Sequence, residues 1–197
     1  MQSVVAIGGD GVNERDLVAR DARFRAAIEP LVKVAYRVLH RLGVRSGEID
    51  DAVQAVLVAA DRKFDDIATR ADLKAYVCAA CVNVARDVGR RRSRRAAEAS
   101  PLDDLEQDPP SEQAGPADLL ERKQTLALVH GILERMLPER REVFVLYELE
   151  ELTGREIAEH LGVPAGTVAS RLRKARDDFR AAFELAHADR PNEGRGT

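Results

Sequence analysis

Residues 153–176 read TGREIAEHLGVPAGTVASRLRKAR, and their chemistry is hydrogen bonding to nucleic acid rather than bond making. The second half of the segment sets Thr167, Ser170, Arg171 and Lys174 on one outward face, with small residues at 165, 166 and 169. Arg and Lys can donate to guanine O6 and N7 in the major groove, and Ser and Thr serve as adaptable partners. Small residues let the backbone come close to the bases. Arg155, Arg173 and Arg176 are placed for phosphates, which set register and affinity rather than sequence. Residues 164–176 hold four bases and no acid. Upstream, residues 85–95 hold six arginines (86, 90, 91, 92, 94 and 95) against Asp87, a net +5. Such a run exceeds what a helix terminus needs for its dipole and points to phosphate contact.

Covalent chemistry has no comparable footing. Cys78-x-x-Cys81 has the spacing of half a zinc site or a redox pair. No other cysteine is present, and the four histidines (40, 130, 160 and 187) are scattered. Cys81 falls on the apolar stripe of its helix with Cys78 beside it, so both read as small buried hydrophobes. Val4 to Gly11 reads like a strand entering a glycine-rich phosphate loop, but Glu14 stands where the last glycine of G-x-G-x-x-G belongs. No acid pair, Ser-His-Asp set or His cluster is found. The expectation is a protein that is not an enzyme and takes no metal or cofactor.

The basic face needs elements to hold it. Thr153 and Glu156 have capping-box spacing and start a helix whose inner face carries Ile157, Ala158 and Leu161. Gly162 falls where a left-handed residue ends it. Pro164 to Thr167 start a second helix, with Val168, Leu172 and Ala175 inward, so the pair is a helix-turn-helix. Before it, Leu119 to Leu137 is helical in period, and Pro138 opens a helix over Glu139–Glu151. In the first half, three apolar stripes repeat at three and four. They are Phe24–Leu42, Ile49–Ala60 and Leu73–Val88, and they can be buried only against one another.

Between the halves, Glu98 to Glu121 holds eight acids and no base, with four prolines, which is too polar for a core. About 22 such residues reach about 70–80 Å when extended. The 197 residues, 45% hydrophobic with net charge −3, suit two small domains and exclude a histone-like coat. No run approaches a membrane span, and no positive charge precedes the short apolar patch Val4–Ile7 as it would in a secretory signal, so a cytoplasmic location is expected. The fold class predicted is all-α: a leader at 1–21, a three-helix domain at 22–95, an acidic flexible linker at 96–118, a helix-turn-helix domain at 119–184 and a disordered tail at 185–197.

Residues 137–176 resemble region 4 of the bacterial extracytoplasmic-function (ECF) sigma factors. That family's pattern is a Leu-Pro start, a helix rich in Val, Phe and Leu, then "EIA…LG…GTV.SRL.RAR". Upstream, Asp51, Val53, Gln54 and Val56 fit the family's "D.VQ.VF" helix, with Leu57 where Phe is frequent. Asn83, Asp87, Arg90 and Arg91 fit its "N…D..RR" helix end. The family's usual Trp near the end of the second helix is Asp61 here, and Tyr76, Val82 and Ala169 replace frequent Trp, Arg and Lys.

The resemblance implies two DNA-reading sites. A −35 duplex element would meet Arg155, Thr167, Ser170, Arg171, Arg173, Lys174 and Arg176. A single-stranded −10 element would meet Phe64, Asn83, Arg86, Asp87, Arg90 and Arg91, with 62–72 as the loop that captures an unstacked base. Phe64 and Tyr76 are the aromatics near it, and Tyr76 lies on the apolar stripe. Asp51, Val53, Gln54, Val56 and Leu57 would bind core RNA polymerase. The implied partners are core polymerase (clamp helices and flap), promoter DNA and an anti-sigma factor. The linker would thread through polymerase and repel DNA in the free protein. Two other readings are a stand-alone helix-turn-helix regulator and a sigma-like decoy for an anti-sigma factor.

Overall fold

The computed structural model describes residues 14–98 and 117–188. Seven α-helices make up the described chain: α1 (Glu14–Arg41), α2 (Ser46–Lys63), α3 (Arg70–Glu98), α4 (Ala117–Arg135), α5 (Pro138–Phe144), α6 (Gly154–Leu161) and α7 (Ala165–Ala188). A 3-10 turn at Phe64–Asp66 joins α2 to α3, and a π-turn at Val145–Leu149 follows α5. No strand occurs among the described residues, and the fold is all-α as predicted. The acidic segment 99–116, the first 13 residues and those after 188 lie outside the described residues.

In the first unit, α1, α2 and α3 pack together through Leu31, Ala35, Val38 and Leu39, through Val53, Val56 and Ala60, and through Leu73, Val77 and Cys81. α1 stops where the Val44 N–H reaches back to the Leu39 carbonyl at 3.1 Å, closing a Schellman turn over Gly43, whose φ is +88°. In the second unit, α4 to α7 enclose Ile132, Leu133, Val143, Leu146, Ile157, Val168, Leu172 and Ala175. Phe144 stacks on Phe179 at 5.0 Å.

Several boundaries differ from the sequence expectation, among them both ends of the expected 96–118 linker, since α3 runs on to Glu98 and α4 starts at Ala117. α1 starts at Glu14, so residues 14–21 of the expected leader are helical. Arg20 anchors them, donating to Asp65 and Asp61 at 2.6 Å, a long-range polar contact that periodicity does not register. α3 starts at Arg70 because Thr69 caps it, accepting the Asp72 N–H at 3.1 Å, which shortens the expected 62–72 loop to 64–69. α7 runs on to Ala188, four residues into the expected tail.

The two units are also not independent. Residues 77–82 of α3 are buried on every side, because α1 and α2 cover one flank and the second unit covers another. The apolar cluster continues from one unit into the next. A lone stripe on α3, expected for an isolated three-helix bundle, therefore understates its burial.

Candidate nucleic-acid interface

The helix-turn-helix forms as its sequence dictates. Thr153, with φ −70° and ψ 153°, caps α6 through a full capping box. Its Oγ1 accepts the Glu156 N–H at 3.3 Å, while Glu156 Oε2 accepts the Thr153 N–H at 2.7 Å. The Thr153 hydroxyl, donating to Glu156 Oε2 at 2.6 Å, and then the Thr153 N–H hold the Glu156 carboxyl below its ordinary value. Gly162 takes the left-handed conformation with φ 65°, and the Val163 N–H closes the turn on the Ala158 carbonyl at 3.1 Å. α7 begins with the Thr167 and Val168 N–H groups donating to the Pro164 carbonyl at 2.8 and 3.1 Å.

Val168, Leu172 and Ala175 point inward, and Ala165, Gly166, Ala169, Ser170, Arg173 and Lys174 are exposed. Thr167 and Arg171 are half-buried beside them, and Arg155 is exposed on α6. Ser170 donates to the Thr167 carbonyl at 3.0 Å, so its hydroxyl oxygen remains an acceptor. Arg176 is engaged within the protein: Nε donates to Glu148 at 2.6 Å, and the guanidinium lies 5.4 Å from the Tyr147 ring centre.

On α3, Asn83, Asp87, Arg90 and Arg91 are exposed on one stripe, and Arg90 pairs with Asp87. Arg86 belongs to this stripe but turns to the second unit. Its Nε and Nη2 donate to the two oxygens of Glu142 at 2.7 and 2.5 Å. Phe64 is half-buried, edge-on to Phe24 at 5.3 Å and beneath Arg20. Tyr76 is a packing residue: its hydroxyl reaches the Ala59 carbonyl at 3.3 Å and its ring meets His160.

α2 divides the residues matched to polymerase binding. Val53 and Val56 are 4% and 0% exposed and belong to the core, so their side chains cannot meet a partner. Asp51 and Gln54 are exposed and Leu57 is half-buried. Val58, 41% exposed, continues the outer face with Asp51 and Gln54. The spacing 51, 54, 58 distinguishes the outer face from the inner one at 52, 53, 56 and 60.

Charge also crosses between the units. Glu150, just before the helix-turn-helix, is 1% exposed and receives Arg37 at 3.0 and 2.7 Å and Arg41 at 2.8 Å, while its carbonyl accepts Lys74 Nζ at 2.7 Å. Arg141 donates to the Leu42 carbonyl at 3.2 Å, and His40 stacks on His130 with ring centres 4.3 Å apart. Burial lowers the pKa of both Arg41 and Arg141. The sequence signal for these contacts is slight: Glu142 and Glu150 are acids flanking an apolar run. The cysteines form no candidate metal site among the described residues. Both are buried, as expected, and no described helix is long and apolar enough to cross a membrane.

Fold and site define an all-α protein with a capped DNA-reading helix-turn-helix and an arginine-striped three-helix unit. The family described as Sigma-70, region 4 matches residues 126–178. The ECF RNA polymerase sigma factor SigM of Mycobacterium tuberculosis is 30% identical over 179 residues, covering 87% of this chain and 86% of that protein. Two solved structures share the fold. The sigma factor RpoE in complex with the anti-sigma factor NepR from Bartonella quintana has a TM-score of 0.63 at 21% identity, covering 85% of this chain and 99% of that one. CnrH in complex with the cytosolic domain of CnrY has a TM-score of 0.54 at 23% identity, covering 91% and 92%. The chain belongs to the ECF RNA polymerase sigma factors, regulatory rather than catalytic proteins of transcription initiation.

Proposed function

We propose that this protein binds core RNA polymerase in the cytoplasm and directs initiation at promoters read in two parts. The observation that carries this reading is the pairing, in one chain, of an outward basic reading helix, α7, with the arginine stripe of α3. Thr167, Ser170, Arg171 and Lys174 read the −35 duplex from the major groove, while Arg155, Arg173 and Arg176 hold phosphates. Arg176 must first release Glu148.

The −10 element is read as a strand by Asn83, Arg86, Asp87, Arg90 and Arg91. Opening duplex costs about 1.4 kcal/mol per stacked step, and an aromatic that stacks an exposed base returns about 1–3 kcal/mol. Phe64 takes that role if it leaves Phe24. Asp51, Gln54 and Leu57, joined by Val58, form the polymerase face on α2. One fold neighbour is in complex with the anti-sigma factor NepR, which supports an anti-sigma partner here.

The test is capture of core polymerase by the purified protein, followed by run-off transcription on a library of upstream regions. Core binding with new, sequence-selective starts is the expected result. Core binding without starts would leave the decoy reading. Tight duplex binding without core binding would leave a stand-alone regulator.

A further inference from the structure

A cleft of about 570 Å³ opens at the seam between the two units, within the size range of small-molecule sites. Its walls carry Arg86, Arg90, Arg92 and Arg94 from α3 and Arg141 from α5. Among the described lining residues the single acid is Glu142, and both its oxygens are taken by Arg86. Leu42 and Pro138 add apolar surface, and Gly89 leaves open space where a side chain would stand.

The protein leaves part of this charge uncompensated. Arg141 makes no ion pair with a described residue. Its Nη1 donates to the Leu42 carbonyl at 3.2 Å, its Nη2 to the carbonyls of Glu134 and Met136 at 3.0 and 3.3 Å, and its buried Nε has no acceptor among the described residues. Arg92 reaches Glu48 at 2.9 Å and the Gly43 carbonyl at 3.4 Å, but its buried Nε also has none. Guanidinium groups are planar forks that match phosphate oxygens two at a time. Of the five around the cleft, Arg86, Arg90 and Arg92 are already paired with Glu142, Asp87 and Glu48, while Arg94 and Arg141 have no carboxylate among the described residues; these two, with the open Nε of Arg92, provide for more than one phosphate.

We propose that this cleft binds a small anion bearing two or more neighbouring phosphates, bridging α3 of the first unit and α5 of the second. Inorganic polyphosphate and nucleoside polyphosphates share that chemistry. A DNA duplex is too wide a rod to enter, and the single-stranded −10 element proposed above would compete with the anion for Arg86 and Arg90. Because both units form the walls, the ligand holds them together. On the function proposed above, which this consequence alone rests on, it opposes promoter engagement.

Calorimetric titration of the full chain with tripolyphosphate, with adenosine and guanosine triphosphates, and with sulfate tests the site. One saturable site for the phosphate compounds is expected, with sulfate at least tenfold weaker. Arg141→Gln is expected to weaken binding at least tenfold. Gly89→Glu places a carboxylate in the open space of the cleft without disturbing packing and is expected to do the same, which covers the case in which Arg141→Gln fails to fold. Arg25→Gln, the same charge change on the outer face of α1, is expected to have no effect. A nucleotide preference over tripolyphosphate assigns the ligand to nucleotides, and equal affinity assigns it to the phosphate chain. Unsaturable heat, several weak sites per chain, an equal loss in Arg25→Gln, or full binding by Gly89→Glu overturns the proposal. No polymerase takes part, so failure here leaves the transcription reading standing, and failure of that reading leaves this titration valid.

Discussion

Arg86 of α3 and Glu142 of α5 meet in a two-point hydrogen bond across the seam, at 2.7 and 2.5 Å, with the Glu142 side chain 6% exposed. Arg86 is also proposed to face the −10 element, so DNA and Glu142 compete for one guanidinium. Hydrogen bonds to charged groups contribute about 1.5–3 kcal/mol, and the partly exposed arginine places this pair at the low end. Glu142→Gln is expected to lower stability by about 1–2 kcal/mol in urea denaturation. It is also expected to raise the radius of gyration in solution scattering and strengthen promoter binding by the free protein. An unchanged radius with unchanged DNA affinity would remove Glu142 from this role.

Gly43 is the second point where the units depend on each other. Its φ is +88°, and a Cβ there would lie 2.6 Å from Nη1 of Arg141. Gly43→Ala therefore strains the turn and displaces that guanidinium. A loss of about 1–3 kcal/mol is expected from the backbone conformation alone. Pairing Gly43→Ala with Arg141→Gln in a double-mutant cycle reads the coupling. Strictly additive losses would show that the turn and the arginine act separately.

The thiols give a pH dependence. Burial, assisted by the Glu150 charge and opposed by Lys74 and Arg37, pushes Cys78 from an ordinary 9.0 up to about 12. Burial also raises Cys81 well above its ordinary value. Unfolded thiols lose protons at lower pH than the folded ones, so the stability is intact below pH 9 and falls as pH rises toward 12. The urea midpoint is expected to be lower at pH 10 than at pH 8. Neither thiol is expected to react with a disulfide reagent at pH 8 until the chain unfolds. Rapid reaction of the native protein would contradict this burial.

The two faces of α2 should separate in mutagenesis. Val56→Ala opens a hole in the core and is expected to cost about 2 kcal/mol or more. Gln54→Ala is expected to leave the melting temperature alone and weaken capture of core polymerase. If Gln54→Ala binds core normally, the polymerase face lies elsewhere.

Arg171→Ala is expected to cost about 1–3 kcal/mol at one −35 base pair and relax preference there. Arg173→Ala should weaken all sequences alike and reduce the salt slope by about 1. Reporter assays over −35 variants, with binding measured across salt concentrations, distinguish the two. An unchanged −35 preference in Arg171→Ala would sink its assignment.

What was legible in the sequence is what short range decides. Thr153, Glu156 and Gly162 set the ends of α6 through neighbours a few residues away, and their spacing displays the motif. The helical character of every segment follows from the period of its apolar residues. The same logic misses what distant partners decide. α1 gains its first turns because Arg20 finds Asp61 and Asp65, some forty residues on. Val53 and Val56 match a family pattern that mixes inner and outer positions, and only the packed α2 tells them apart. Residues 77–82 of α3 read as one stripe because the second helical unit that also covers them lies beyond an acidic segment. Arg86 belongs to an arginine run in sequence and to a buried carboxylate in space.

The π-turn at Val145–Leu149 acts as a phase setter. Its Glu150 N–H reaches the Val145 carbonyl at 3.0 Å, a span of five residues where an α-helix would use four. Each residue of an α-helix turns the chain by about 100°. Loss of one residue here would restore ordinary helical phase and swing Glu150 and the helix-turn-helix around by about that angle. Arg37 and Arg41 would then face no carboxylate. Length is what this segment has to keep besides its buried Val145 and Leu146: a lineage cannot shorten it by a single codon without uncoupling the reading helix from the rest of the molecule.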